Sequence, residues 1–241
     1  MSGKVVFITG GSRGLGGATA RALAARGDQV IITDILDEAG QDLATEIGAT
    51  YLHQDVGCEK AWNSIARDVI DRYGRVDVLM NNAGVLHQEP LLGHSTEDWN
   101  RLILVNQTSV FFGMRSFGAY MIKQKTGSII NVASVAAKQC VAGTMAYTAS
   151  KSAMIGMTKV AAREFGPLGV RVNVLLPGMM DTQMVDDIDP DRKGRERLLK
   201  SVPLRRTAGP DEIAKMAVFL ASDDSSYCCG ETFQVDGGSA C

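Results

Sequence analysis

Short apolar, β-prone runs alternate with helix-length stretches along nearly all of this 241-residue chain, and that alternation leaves few folds open. The strand candidates are 4–9, 29–33, 50–53, 77–81, 127–132 and 170–175, with a last one at 232–235. Between them lie helical stretches at 14–26, 38–47, 59–73, 96–122 and 146–166. A strand–helix–strand unit closes as a right-handed crossover onto a parallel sheet, so the helices end up covering both faces. The pattern predicts an α/β chain with a doubly wound, seven-stranded parallel sheet and a ligand crevice at the carboxyl ends of the strands. Residues 1–241 read as one domain, without linker, repeat or low-complexity tract. Residues 179–209 depart from the alternation and carry a polar run from Asp186 to Arg195. A polar insertion at that end of the sheet predicts a substrate-binding lid with a helix near 194–201, although an ordinary solvated segment would read the same way.

Charge and apolar patterning remove several function classes. The formal net charge is −2 and no long basic run is present, which argues against nucleic acid or an anionic membrane as partner. The most apolar runs, such as Val5–Thr9, are far too short to span a bilayer, and the opening residues lack a charged and then long apolar leader. The expectation is a soluble, cytoplasmic protein. Cysteines 58, 140, 228, 229 and 241 have neither redox-pair nor metal-ligand spacing and are expected to be reduced structural thiols. His53, His87 and His94 show no ligand or triad spacing either, so no metal is expected.

The first strand runs straight into Gly10-Gly-Ser-Arg-Gly-Leu-Gly16 and then a helix. Glycines at 10, 14 and 16 let the backbone turn sharply and approach a pyrophosphate, which the helix N-terminus then holds. Asp34 ends the second strand. A carboxylate there accepts hydrogen bonds from a ribose 2′-hydroxyl and repels a 2′-phosphate, which points to NAD. Arg13 pulls the other way, because a cation in the loop can pair with that phosphate or simply cap nearby carbonyls.

Tyr147 and Lys151 stand four apart in Tyr-Thr-Ala-Ser-Lys, on one face of a helix. A phenol with a free pKa of about 10 is a poor base at neutral pH, and a neighbouring ammonium lowers that value. A shift of about three units needs roughly 4 kcal/mol, to be shared between Lys151 and a cationic nicotinamide.

Taken together, these motifs resemble the short-chain dehydrogenase/reductase family. The likeness runs from Thr9–Gly16 through His53-Gln-Asp-Val56, Asn81-Asn-Ala-Gly84, Val105-Asn106, Ser134, Tyr147-x-x-x-Lys151, Pro177-Gly178 with Thr182, to Asp236-Gly-Gly238. The resemblance implies a Rossmann fold and a catalytic set of Asn106, Ser134, Tyr147 and Lys151. In it Tyr147 is the acid/base, Ser134 polarises the reacting oxygen, and Lys151 holds the nicotinamide ribose and lowers the Tyr147 pKa. Asn106 kinks the long fourth helix and places a water leading from Lys151 to solvent. It further implies cofactor contacts from Gly10, Ser12, Arg13, Gly14, Leu15, Gly16, Asp34, Asp55, Val56, Asn82, Ala83, Gly84, Pro177, Gly178, Met180 and Thr182, besides Tyr147 and Lys151.

Around the catalytic trio lie Val135, Ala136, Ala137, Cys140, Val141, Met145 and Leu86, rimmed by Lys138, Gln139 and His87, with Met179, Met180 and Met184 at the mouth. Met145, Met154 and Met157 otherwise read as core. An apolar surround suits a hydrophobic secondary alcohol or its ketone. The region 33–40 looks like bacterial NAD-dependent hydroxysteroid and cyclic-alcohol dehydrogenases. One rival is an NADPH-linked 3-oxoacyl-thioester reductase, for which Arg192, Lys193, Arg195, Arg197, Arg205 and Arg206 offer a basic patch. Another is a non-catalytic dinucleotide-binding protein. The family resemblance also implies a homodimer or homotetramer paired through the helices at 96–122 and 146–166 and the last strand. The apolar stretches Ser109–Met114 and Phe233–Val235 fit such contacts and fit an internal core equally well.

Overall fold

In the computed structural model, which describes residues 3–183, 186, 194–195 and 199–240, seven strands form one sheet. They are β1 (Val5–Thr9), β2 (Gln29–Asp34), β3 (Thr50–His53), β4 (Val78–Asn81), β5 (Gly127–Val132), β6 (Val170–Pro177) and β7 (Thr232–Val235). All pair in parallel, in the order β3-β2-β1-β4-β5-β6-β7. The chain leaves β1 toward β2 on one side and returns to β4 on the other, so the connections part above the β1–β4 pair and open a crevice there.

Period-two alternation with both faces buried explains why these strands read as unbroken apolar runs. Phe7 points to one face, where α3 (Glu59–Tyr73), α5 (Ser109–Gln124) and α7 (Met145–Phe165) pack. Its ring lies 4.5 Å from that of Phe117 and 6.3 Å from that of Trp62. Val6 and Ile8 point to the other face, against α1 (Gly14–Ala25), α2 (Asp37–Ile47) and a helix at Pro210–Ala221. That last helix was not expected from the pattern, yet its start is written locally. Pro210 holds the first helical position and Glu212 reaches back to accept from Gly209 N at 2.9 Å.

The single helix expected over 96–122 is broken. It comprises α4 (Thr96–Ile103), one π-helical turn at Leu104–Thr108, and α5. A single turn, α6 (Ala136–Gln139), follows β5, and Pro210–Ala221 is α8. The described legs of the 179–209 segment pair with each other: Ala208 N donates to Met179 O at 3.0 Å and Asp181 N to Ala208 O at 3.1 Å. Met184, Arg192, Lys193, Arg197, Cys241 and part of the helix expected near 194–201 lie outside the described residues. Among the described residues no helix is long and apolar enough to cross a membrane.

Candidate active site

The carboxyl ends of β1, β4, β5 and β6 open into a cleft of about 1290 Å³ that runs from Asp34 to Tyr147. At one end, Gly10 and Gly14 have φ of +61° and +56°, the left-handed region that glycine enters without strain. A Cβ on Gly16 would lie 2.2 Å from the Gly10 carbonyl oxygen, and one on Gly10 would lie 2.8 Å from Ala83 Cα. The loop is thus pressed between α1 and the end of β4. Asn82 braces it, its Nδ2 donating to Thr9 O and Gly10 O, both at 2.9 Å. The N-terminus of α1 has no acidic residue in its first turn and no side-chain cap, which leaves its N–H groups for an anion.

Asp34 stands on the same wall with both carboxylate oxygens fixed. Oδ2 accepts from Ser12 N at 3.2 Å and Ser12 Oγ at 2.5 Å; Oδ1 accepts from Ile35 N at 2.8 Å and Leu36 N at 3.2 Å. The buried Ser12 therefore orients Asp34 and is not itself on the cleft wall, whereas Arg13, Gly14 and Leu15 are. Asp55 and Val56 line the cleft as the motif predicts, with Asp55 Oδ1 accepting from Gly57 N at 2.8 Å. Gln54 beside them was missed. It is 1% exposed, and its two amide atoms have no partner among the described residues. No spacing signal in the sequence separates it from an ordinary strand-end residue.

At the other end, Ser134 follows β5 and Tyr147 and Lys151 project from α7. Ser134 and Tyr147 both line the cleft, with the Ser134 hydroxyl near enough to favour the ionised phenol, and Ser134 Oγ accepts from Ala136 N at 3.1 Å. Burial pushes the Tyr147 phenol above its ordinary value, and the Ser134 hydroxyl pulls the other way without reversing it. The expected lowering by Lys151 is not present in the protein alone. The Lys151 ammonium lies 5.7 Å from the Tyr147 ring centroid and is engaged with the Val132 carbonyl at 2.9 Å. Lys151 is 4% exposed, and burial brings its own pKa down from 10.5 to about 8.

That depression links stability to pH. Below pH 8 the folded protein holds a charge it disfavours. Between pH 8 and 10.5 the unfolded chain binds more protons, so this penalty is relieved as pH rises. At about 1.36 kcal/mol per unit the penalty is on the order of 3 kcal/mol. We expect Lys151→Met to unfold at higher denaturant than the wild type at pH 7, with the difference shrinking by pH 10.5. Equal midpoints at pH 7 would mean that the ammonium is not strained in the fold.

Asn106 sits in the π-helical turn and is fully buried. Its Oδ1 accepts from Val85 N at 2.8 Å, and its Nδ2 donates to Val85 O at 2.9 Å and Ser150 Oγ at 3.2 Å. It clamps the loop after β4 to α7 and lies off the cleft wall. A Cβ on Gly84 would fall 3.2 Å from Asn106 Oδ1 and 3.3 Å from Lys151 Nζ, so the absence of a side chain keeps this corner open.

Leu86, Val135, Ala136, Val141, Met179 and Met180 line the cleft, as do Pro177, Gly178, Gln139 and Ser239, while Thr182 stands beside Gly14 of the glycine loop. Ala137, Cys140, Lys138 and His87 are not on this wall, and neither is Met145. Met145 is 45% exposed rather than core and lines a separate small pocket with Leu91, His94 and Trp99. His87 faces Asp98 at 3.7 Å, and His53 pairs with Asp37 at 2.7 Å. The described cysteines are free; Cys58, Cys140 and Cys229 are at the surface instead of packed in the core. No cluster of metal ligands exists among the described residues.

Comparison with known proteins agrees with this geometry. A family model described as enoyl-(acyl carrier protein) reductase matches residues 10–240. The chain is 40% identical over 241 residues to a 3-alpha-(or 20-beta)-hydroxysteroid dehydrogenase of Mycobacterium bovis, covering 98% of this chain and 89% of that one. It is 35% identical to a 2,5-dichloro-2,5-cyclohexadiene-1,4-diol dehydrogenase of Sphingobium indicum, over 99% and 96% of the two chains. It is 39% identical to a 3-oxoacyl-[acyl-carrier-protein] reductase of Thermotoga maritima, over 99% and 98%. The solved structure of a levodione reductase superposes with a TM-score of 0.93 at 31% identity, covering 98% of this chain and 97% of the other.

Proposed function

Because the chain belongs to the short-chain dehydrogenase/reductase family, whose members are oxidoreductases acting on CH–OH groups, we propose that it interconverts a hydrophobic secondary alcohol, cyclic or steroidal, and its ketone with NAD. The observation that carries this reading is the Ser134–Tyr147 hydroxyl pair facing a mainly apolar wall in a cleft whose far end holds the fixed carboxylate of Asp34. The glycine loop fits a dinucleotide pyrophosphate, since side chains at 10 and 16 would meet backbone and the α1 N–H groups stand uncapped. Asp34 would hold the adenosine ribose, and Asp55 and Val56 the adenine. Pro177, Gly178, Met180 and Thr182 would hold the nicotinamide. The bound nicotinamide supplies the hydride acceptor.

The chain's own residues manage the proton. Tyr147 receives the alcohol hydroxyl proton in oxidation and returns it in reduction, while Ser134 donates to the reacting oxygen. Lys151, with one N–H on Val132 O, keeps its remaining donors for ribose hydroxyls and its charge for the phenolate. Asn106 acts as a positioning residue by fixing the loop at Val85 and, through Ser150, the helix that carries Tyr147 and Lys151.

The NADPH-linked 3-oxoacyl-thioester reading draws on the Thermotoga relative and on Arg13 at the cleft. The members of its basic patch among the described residues are already engaged, however. Arg195 is buried between Asp181 at 3.1 Å and Asp186 at 2.5 Å, and Arg206 is paired with Glu212 at 2.7 Å. As for assembly, most of the Ser109–Met114 run is internal core, while Trp99, Leu104, Phe111 and Val160 remain exposed on α4, the π turn, α5 and α7. These faces support a homodimer or homotetramer. Initial rates with NAD and NADP against aliphatic, cyclic and steroidal secondary alcohols, beside acetoacetyl thioesters with NADH and NADPH, separate the two readings. We expect NAD-linked oxidation of a bulky apolar alcohol. NADPH-linked thioester reduction with inert alcohols would make the rival correct.

A further inference from the structure

Beyond β7 the chain makes a turn at 236–240 that touches three parts of the cleft at once. Asp236 organises it. Its Oδ1 accepts from Gly238 N at 3.0 Å, and its Oδ2 accepts from Gln234 Nε2 at 2.7 Å, Ser239 Oγ at 2.9 Å and Ala240 N at 2.8 Å. Gly237 and Gly238 have φ of +64° and +85°, which permits so tight a fold around one carboxylate. Partial burial pushes the Asp236 carboxyl up, but these donors more than offset it and leave it below the usual range.

The turn is packed on all sides by functional segments. A Cβ on Gly178 would lie 2.5 Å from Asp236 Cα, so the turn rests directly on the Pro177–Gly178 corner. Leu204 N donates to Gly237 O at 3.2 Å, and Cβ atoms on Gly237 and Gly238 would meet Val202 and Pro203 at 3.0 and 2.9 Å. The turn thereby fixes the return leg of the 179–209 segment. On its third side Gln139 Nε2 donates to Ser239 O, and Lys138 Nζ donates to Gln234 Oε1 at 2.9 Å. Those two bonds tie α6, which lies between Ser134 and Tyr147, to the end of the sheet. Gln139, Val202, Gly178 and Ser239 all line the cleft.

We propose that the 236–240 turn, folded on Asp236 and hooked to Gln139, is a fixed wall of the substrate pocket that selects substrates by size. Asp236 is in this sense a positioning residue: it touches no reacting atom but sets where Ser239, Gln139 and Val202 stand. The substrate classes named in the test rest on the function proposed above; the wall itself does not.

The test compares wild type with Asp236→Asn, and Gln139→Ala as a second variant, in the full chain. One arm measures kcat/KM for a steroidal and a small cyclic secondary alcohol, together with the Kd for NAD. The other arm measures amide hydrogen exchange at 236–240, which needs no turnover. We expect Asp236→Asn to speed exchange there at least tenfold. The steroidal-to-small ratio of kcat/KM should shift at least fivefold, through KM, a change that a loss of NAD affinity, common to both alcohols, would not produce. Gln139→Ala should shift the same ratio in the same direction. Faster exchange with an unchanged ratio in both variants would overturn the size-selecting role, and unchanged exchange would overturn the clasp itself. A wild type inert toward every alcohol would instead overturn the proposed substrate class. Short against long 3-oxoacyl thioesters then provide the same size ratio, and an unchanged ratio there would again overturn the wall.

Discussion

Tyr147→Phe is expected to lower kcat by about 10³-fold or more while the Kd for NAD stays within about threefold. Phenylalanine fills the same volume on α7 and removes only the hydroxyl that exchanges a proton with the substrate. Ser134 keeps its bond from Ala136 N, so the β5 end stays ordered. Among the described residues beside it, neither Lys151 nor Ser134 replaces that hydroxyl. The Lys151 ammonium has no lone pair with which to accept a proton and donates to Val132 O, and Ser134 lacks a base of its own. Near-normal turnover in this variant would remove Tyr147 from the proton path, and loss of NAD binding together with turnover would make its role one of cofactor positioning.

Asp34→Ala is expected to reduce the preference for NAD over NADP, read as the ratio of kcat/KM values, roughly a hundredfold. Bringing a 2′-phosphate beside a fixed carboxylate costs several kcal/mol, and about 2.7 kcal/mol corresponds to a factor of a hundred. The carboxylate cannot swing away, because Ser12 holds one oxygen and the Ile35 and Leu36 amides hold the other. With Asp34 removed, Arg13 on the same wall becomes the dominant charge facing the ribose. Asp34→Asn, which keeps acceptors for two of those donors, separates the charge from the local fold. An unchanged cofactor ratio in both variants would show that the ribose lies elsewhere.

The seven-stranded parallel sheet and the motifs of the candidate site were legible in the sequence because both are written locally, whereas the strand order was not. Buried parallel strands leave unbroken apolar runs, as in Val5–Thr9, and the glycine loop and the Tyr147–Lys151 pair are each confined to one turn of chain. What escaped was set by distant partners. The π-helical turn at Leu104–Thr108 carries no composition signal, and only the family resemblance pointed to a kink at Asn106; its bonds to Val85 and Ser150 lie far along the chain. The raised Tyr147 phenol of the protein alone was not legible, because spacing gives the proximity of an ammonium but not its burial, nor that the Val132 carbonyl takes it. Met145 was assigned to core from residue type, although it lies at the first turn of α7 where that face opens to solvent. Gln139 and Ser239 meet across one hundred positions, a contact no local pattern announces. Helix α8 is the opposite case: Gly209-Pro210-Asp211-Glu212 is a readable start, obscured by the polar segment before it.

The central claim is that Ser134, Tyr147 and Lys151 serve hydride exchange between a secondary alcohol and a bound nicotinamide. The most direct measurement incubates the protein with NAD and secondary alcohols carrying deuterium on the carbinol carbon, and reads the reduced dinucleotide by mass spectrometry. The account predicts one deuterium transferred from a hydrophobic cyclic or steroidal alcohol to the dinucleotide, and none with Tyr147→Phe. Binding of NAD without deuterium transfer from any alcohol would contradict it and leave a protein that binds the dinucleotide without using it in this chemistry.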